Sequence, residues 1–248
     1  MTELPQRLDL ALVARDLVKS RAKAQSLIAE GRVSVDGVTT TKATRKVTDG
    51  MILSVTVPDI DWVGRGAKKL LPALDHFAIE VQGKTAADIG ASTGGFCQVL
   101  LERGAARIYA VDVGHGQLDP LVAEDARIIN LEKTNSRDLD ETLIPEPLDL
   151  IVADVSFISL QKALPAALSL AAPGAHLLAL VKPQFEVGKG NVGKGGIVRD
   201  EALAATVPIV LEDWINALPG WSSLGYIDSP ILGSDGNREF LIGGRYDG

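Results

Sequence analysis

Residues 85–96 read TAADIGASTGGF, and few folds accommodate that string. An apolar run ends at Asp88 and Ile89, three glycines fall within the next six positions, and FCQVLLE then follows a helical pattern. The reading is a strand, a tight glycine turn and a helix opening at Gly94 and Gly95. Such corners belong to open, mostly parallel sheets, whose ligands sit beyond the carboxyl ends of the strands. Glycine lets the backbone approach a bound group, and the free N–H groups of the helix start suit a carboxylate or phosphate. The turn residues Gly90, Ala91, Ser92, Thr93, Gly94, Gly95 and Phe96, with Asp88 before them, are therefore candidate cofactor contacts. Asp112 closes the next strand, 22 residues after Gly90, placed to accept both hydroxyls of a ribose, with Val113 beside it. This pattern alone leaves NAD, S-adenosylmethionine and a purely structural corner open. The acid at Asp88, the spacing of Gly90 from Gly94 and Gly95, and the antiparallel ending described next favour S-adenosylmethionine.

The same alternation continues to the end of the chain. Strands are predicted over residues 85–89, 107–112, 127–131, 148–153, 175–181, 221–228 and 239–243, and helices over 94–103, 160–172 and 201–218. The last two strands are joined by SPILGSDGN, too short for a crossover helix, so they pair antiparallel or not at all. The fold class is α/β: a seven-stranded Rossmann-like sheet with an antiparallel last strand, plus a small N-terminal α+β domain. Residues 163–181 carry no formal charge over a length that suits a membrane span. Pro165, Ser169, Pro173, Gly174 and His176 interrupt it, which predicts helix, turn and strand instead.

The N-terminal segment is built differently. Leu8, Leu12, Val13 and Leu17 form one helical stripe, and Ser20 caps a second helix running to about residue 30. Ala24, Leu27 and Ile28 face inward there, with Arg21, Lys23 and Gln25 outward. Gly31 ends the helix, Val33 and Val35 point into a core, and Asp36-Gly37 marks a hairpin. The predicted division is a domain over 1–58, a linker over 59–66 rich in Pro, Asp and Gly, and a body over 67–248. Net charge is −7, but residues 1–69 hold 12 Lys+Arg against 8 Asp+Glu, and the rest 13 against 24. A basic head on an acidic body suggests an anionic partner for the head. One cysteine, Cys97, excludes an internal disulfide and cysteine-cluster metal sites, and three scattered histidines argue against zinc. No metal is expected, and Cys97 reads as a small buried side chain. The charged N-terminal decapeptide lacks the apolar core of a signal peptide, so a soluble, cytoplasmic protein is expected.

Four charged residues fall at strand ends or just before the sheet: Lys69, Asp154, Lys182 and Glu239. Asp154 and Lys182 end parallel strands and share the rim of the glycine turn, and Glu239 opens an antiparallel strand at that rim. Converging charges beside a cofactor suit in-line methyl transfer to a hydroxyl, which must lose its proton as it attacks. A lysine serves as base where neighbouring positive charge and partial burial lower its pKa. Lys182 is the candidate base, Lys69 its partner cation, and Asp154 and Glu239 hold the two amines. The loop 183–200, with Gly188, Lys189, Gly190, Lys194 and Arg199, is long enough to be a lid over RNA phosphates or a disordered surface loop. It is not an NTPase phosphate loop, because Gly195 follows Lys194.

Together these residues resemble the TlyA family of ribosomal RNA 2′-O-methyltransferases, often labelled hemolysin-like. Residues 7–37 look like the RNA-binding module named for small-subunit ribosomal protein four. The segments VGRGAKKL, DIGASTGGF, DVGHGQL, LEKTNSRDL, ADVSFISL, VKPQFE and GNREFL follow in the family's order. The body is similar to the FtsJ-type methyltransferase domain, whose Lys-Asp-Lys-Glu tetrad falls on Lys69, Asp154, Lys182 and Glu239. Lys68 directly precedes Lys69, and Arg65-Gly66 replaces the family's usual arginine-alanine pair. The resemblance implies S-adenosylmethionine as cofactor, Asn135 and Leu131 near its adenine and Asp112 at its ribose. It also implies cytidine 2′-hydroxyls of 16S or 23S rRNA, free or in ribosomal subunits, as substrate. RNA phosphates would then meet Arg7, Arg15, Lys19, Arg21, Lys23, Arg32, Arg65, Lys68, Lys189, Lys194 and Arg199. Other readings are a membrane-active hemolysin-like protein, a non-catalytic RNA-binding protein, and a small-molecule O-methyltransferase that would leave the basic head unused.

Overall fold

The computed structural model describes residues 5–56 and 60–248, so the predicted junction at 58–59 lies outside the described residues. Contacts divide the chain between Asp61 and Trp62 into two compact units. The first contains β1 (Gln6–Arg7), α1 (Leu8–Ala14), α2 (Arg21–Ala29), β2 (Val33–Val35), β3 (Val38–Thr39), β4 (Lys46–Val47) and β5 (Leu53–Val55). Its core is Leu8, Leu12, Ala24, Leu27, Ile28, Val33, Val35 and Val47, with each helix contributing one stripe. Ser20 caps α2 by accepting from the Lys23 N–H, and Gly31 takes φ +68° just beyond its end. The hairpin turn at Asp36 and Gly37 has positive φ at both residues, the twist that suits adjoining strands. The stripe predicted through Leu17 is shorter than expected. Asp16 adopts φ +53°, the Leu17 N–H closes back on the Leu12 carbonyl, and Leu17 is left exposed. Aspartate tolerates this left-handed position and so ends α1 early.

The second unit opens with α3 (Ala67–His76), followed by β6 (Thr85–Ile89), α4 (Gly95–Glu102), β7 (Arg107–Asp112), α5 (Pro120–Ala123), β8 (Ile128–Glu132) and β9 (Leu148–Ala153). Then come α6 (Leu160–Ala163), α7 (Pro165–Leu168), β10 (Ala171–Val181), α8 (Pro183–Glu186), α9 (Glu201–Ala217), β11 (Trp221–Asp228) and β12 (Phe240–Tyr246). The sheet order is β11-β12-β10-β9-β6-β7-β8. The run from β10 to β8 is parallel, and β12 is antiparallel to both of its neighbours, as the short final loop requires. Strand order reverses between β6 and β9, so the crevice for a ligand opens beyond their carboxyl ends.

Successive strand residues alternate between two cores. Ala86, Ile108, Leu150, Val152, Leu178 and Leu180 face α3 and α4, while Ala87, Tyr109, Ile151, Leu177 and Ala179 face α6, α7 and α9. Burial on both faces explains why these strands read as continuous apolar runs.

Three sequence expectations change here. The helix over 160–172 is two short helices, because Pro165 has no N–H to continue the first and suits the first turn of the second. The strand expected over 175–181 begins at Ala171, which pairs with Leu148. Pro173 and Gly174 form no turn but lie within an irregularity between Ala171 and His176, where Gly174 has φ +85°. Residues 62–66, read as linker, pack into the second unit. Trp62 and Val63 lie on its core, and the Val63 N–H donates to Gln98 Oε1 at 2.8 Å. Gly64 sits so close that a Cβ would come 2.8 Å from Thr93 Oγ1. Among the described residues no helix is long and apolar enough to cross a membrane.

Candidate active site

The predicted glycine turn lies at the reversal point. Gly90 has φ +88°, and a Cβ there would stand 2.6 Å from the Asp154 carbonyl oxygen, so only glycine lets β6 and β9 end side by side. Gly94, at φ +90°, starts α4; a Cβ on it would collide with Leu118 and Val122. Beyond this turn lie two adjoining cavities of about 490 and 220 Å³, which share Gly90, Ser92, Asp154 and Ser156 as walls.

The larger cavity has the chemistry of an adenosyl pocket. Ile89, Val111, Val113 and Ile158 supply apolar walls, and Asp112, Asn135 and Asp154 supply polar ends. Each Asp112 oxygen accepts one backbone bond, Oδ2 from the Ser92 N–H (2.8 Å) and Oδ1 from the Gly114 N–H (2.7 Å). A carboxylate retains further lone pairs for two ribose hydroxyls. Asn135 caps a short 3₁₀ turn, its Oδ1 accepting from the Arg137 N–H, which leaves its NH₂ group for an adenine nitrogen. Leu131, also expected near the adenine, packs against the core instead. Asp88 lines neither cavity. It is wholly buried under the turn, where Cys97 Sγ donates to its Oδ2 at 3.0 Å and its Oδ1 has no partner. Burial pushes the Asp88 carboxyl up to about 7, and burial with the adjacent Asp88 charge pushes the Cys97 thiol well above its usual value. Cys97 is accordingly a packed side chain and no nucleophile.

The smaller cavity is bounded by Arg65 and Gly66, the residues Ala91, Thr93, Gly95 and Phe96 of the turn, and Lys182. The four strand-end charges form two ion pairs. Lys182 Nζ lies 2.6 Å from Asp154 Oδ1, donates to Ser156 Oγ at 2.9 Å, and stands 6.0 Å from the centre of the Phe185 ring. Lys69 Nζ lies 2.6 Å from Glu239 Oε2 with both side chains nearly enclosed, 10% and 3% exposed. Register brings the pairs to one rim, because Phe240 pairs with Val181 and so sets Glu239 beside the Lys182 end of β10. Lys68 lies on the exposed side of α3, which makes Lys69 the lysine of this arrangement.

With this geometry in view, the comparisons with known proteins are specific. The FtsJ-like methyltransferase family matches residues 62–246, and the S4 domain matches residues 6–53. A 16S/23S rRNA (cytidine-2′-O)-methyltransferase, TlyA of Mycobacterium tuberculosis, is 47% identical over 95% of this chain and 88% of its own length. The chain belongs to the TlyA family of FtsJ-like methyltransferases. Another member, from Brachyspira hyodysenteriae, carries the name Hemolysin A at 38% identity over 95% of this chain and 98% of its own. A solved structure from Streptococcus thermophilus, also under a hemolysin name, superposes with a TM-score of 0.73 at 35% identity, over 98% of this chain and 88% of that one.

The remaining residues expected from family membership are differently engaged. Arg7 and Arg21 both donate to the buried Asp9. Arg15 donates to the Met51 and Thr48 carbonyls and so pins the turn before β5. Lys23 pairs with Asp61, and Arg32 with Glu30. Arg65 reaches the Leu232 carbonyl at 3.0 Å. Lys19, Lys68, Lys194 and Arg199 are exposed, and the Lys189 side chain lies outside the described residues. The loop 183–200 is anchored rather than loose. Buried Asn237 accepts from the Val198 N–H and donates to the Gly196 carbonyl.

Sequence reasoning missed Gln117, Ser136, Ser156 and Phe157 at the larger cavity. Phe157 is 90% exposed at φ +66°, and its ring lies 5.1 Å from that of Phe185. The signal in the sequence was its place within ADVSFISL, just after the strand end.

Proposed function

We propose that the protein transfers a methyl group from S-adenosylmethionine to the 2′-hydroxyl of cytidine in 16S or 23S ribosomal RNA. The observation that carries this reading is Asp154, which stands on the wall common to the two cavities and pairs with Lys182 in the smaller, polar one. The lining suits the group: an apolar slot, the Asp112 carboxylate that would hold ribose hydroxyls, Gly90 and Gly94 that allow close backbone approach, and acidic Asp154 that would suit a positive sulfur. When bound, S-adenosylmethionine supplies a methyl group on that sulfur.

The chain's own residues do the rest. Asp154 and Ser156 fix the Lys182 amine at the mouth of the smaller cavity, where Lys182 in its unprotonated form receives the proton given up by the sugar hydroxyl. Lys69 and Glu239 form a rigid neighbouring pair that shapes the same rim. Phe157 presents a flat apolar face on which an unstacked base can rest. In this reading the N-terminal unit binds RNA, supported by its S4 match, and the second unit carries the chemistry. The use of rRNA and of cytidine rests on the named Mycobacterium relative.

The test is tritium transfer from labelled S-adenosylmethionine to rRNA or ribosomal subunits, with 2′-O-methyl sites mapped by mass spectrometry. Wild type is expected to label one or a few cytidines, and Lys182→Ala to lose labelling while retaining cofactor binding. Equal incorporation by the two proteins would remove Lys182 from the mechanism, and labelling of base atoms alone would overturn the sugar assignment.

A further inference from the structure

Asp9 is wholly buried in the N-terminal unit, yet it is surrounded by cations rather than by core. Arg7 meets it with both arms of its fork, Nε to Oδ1 at 2.9 Å and Nη2 to Oδ2 at 2.8 Å. Arg21 Nε donates to Oδ2 at 2.9 Å, and Gln25 Nε2 donates to the same oxygen at 2.8 Å. The Arg7 hydrogen bonds, aided by those from Gln25 and Arg21, hold the Asp9 carboxyl well below the usual carboxylate range against the opposing effect of burial. One fixed anion thus ties together β1, where Arg7 lies, and the start of α2, where Arg21 lies.

We propose that Asp9 is a positioning residue for RNA binding, holding the guanidinium groups of Arg7 and Arg21 as one preformed grip for a backbone phosphate. The proposal rests on the reading that this unit binds rRNA. A guanidinium has five N–H donors; Asp9 occupies two on Arg7 and one on Arg21, so most remain for a second acceptor. The side chains are 32% and 54% exposed, so those donors have access to solvent. Two cations share one anion, and the cluster keeps a net positive charge. The other paired basic residues of the unit differ: Lys23 and Arg32 each face one acid, and the Arg15 guanidinium donates to two carbonyls beside Asp49. A free arginine loses much rotamer freedom when it grips a phosphate, and a prearranged fork has lost it already.

The prediction has a sign that separates it from bulk electrostatics. Asp9→Asn adds one positive charge to the unit, so attraction alone would tighten RNA binding. Positioning requires the opposite, a loss of roughly tenfold, as two side chains regain their freedom. The experiment uses the full chain, filter binding to purified 16S and 23S rRNA, and a series of potassium chloride concentrations. The Arg7→Gln, Arg21→Gln double variant is expected to bind weakly, with its salt slope reduced by about one, for the one phosphate lost. Adding Asp9→Asn to that background is expected to cost nothing more, because the groups it positions are gone. Asp9→Asn binding as tightly as wild type or tighter, while the double arginine variant weakens, overturns the positioning role alone. A further loss on adding Asp9→Asn to the arginine background marks a damaged fold and overturns it too. Unchanged binding by the double arginine variant removes RNA binding from this face altogether.

Discussion

Replacing Lys69 by methionine tests whether the enclosed pair at the rim is as dry as its geometry indicates. The amine and the Glu239 carboxylate are 2.6 Å apart and 10% and 3% exposed, so neither is well hydrated. Lys69→Met keeps the volume and removes the charge, leaving Glu239 buried without a counter-ion. Breaking such a pair costs about 3–5 kcal/mol, because the remaining charge keeps its desolvation penalty and loses its partner. For a unit of this size each kcal/mol lowers the melting temperature by about 2–4 °C, so the second unit is expected to melt roughly 10 °C lower. The double variant Lys69→Met, Glu239→Leu removes both charges and is expected to recover most of that loss. The assay is scanning calorimetry of the full chain, followed on the transition of the larger unit. A single variant melting within about 2 °C of wild type, well short of the loss expected for a buried pair, or a double variant no better than the single, refutes the argument. Methyl transfer by the recovered double variant then isolates chemistry from stability. Continued inactivity in a stable protein is the expected result if the pair shapes the reacting site.

Three further outcomes follow from other sites. Asp88 carries a proton in the folded state up to about pH 7 but only up to about pH 4 when unfolded. Its contribution is therefore largest at acid pH and falls by about 4 kcal/mol as pH rises from 4 to 7; His176, whose pKa burial lowers, works the other way. The measurement is the difference in stability between wild type and Asp88→Asn across that range, in which the His176 effect cancels, and a difference independent of pH refutes the assignment. Gly90→Ala forces a Cβ within 2.6 Å of the Asp154 carbonyl at φ +88°; calorimetric titration is expected to show S-adenosylmethionine binding lost, and unchanged affinity would contradict the described closeness of β6 and β9. Asn237→Ala frees the Val198 N–H and the Gly196 carbonyl, at about 1–3 kcal/mol for groups left unsatisfied. Protease cleavage within residues 188–199 should quicken, and an unaltered rate would show that the loop is held by something else.

The body was legible because its central strands are buried on both faces. Residues 85–89, 107–112 and 148–153 fall where their apolar runs and flanking turn signals set them. The expectations that shifted depend on partners distant in the chain. Ala171 joins β10 because Leu148 offers it an unpaired edge, which no local pattern announces. Residues 62–66 have linker composition, yet their glycines are what allow a close approach to Gly95 and Phe96. α3 was not foreseen, since Pro72 within it reads as a breaker.

The tetrad shows the same division between what a pattern contains and what packing adds. Strand ends named Asp154 and Lys182 as neighbours, because adjacent parallel strands deliver their last residues to one rim. The partition into two separate ion pairs, with Asp154 and Lys182 on the cavity walls and Lys69 and Glu239 off them, depends on packing, which a one-dimensional pattern does not hold. Lys68 and Lys69 are chemically identical and adjacent, and only the helical turn of α3, which sends one outward and the other to Glu239, distinguishes them.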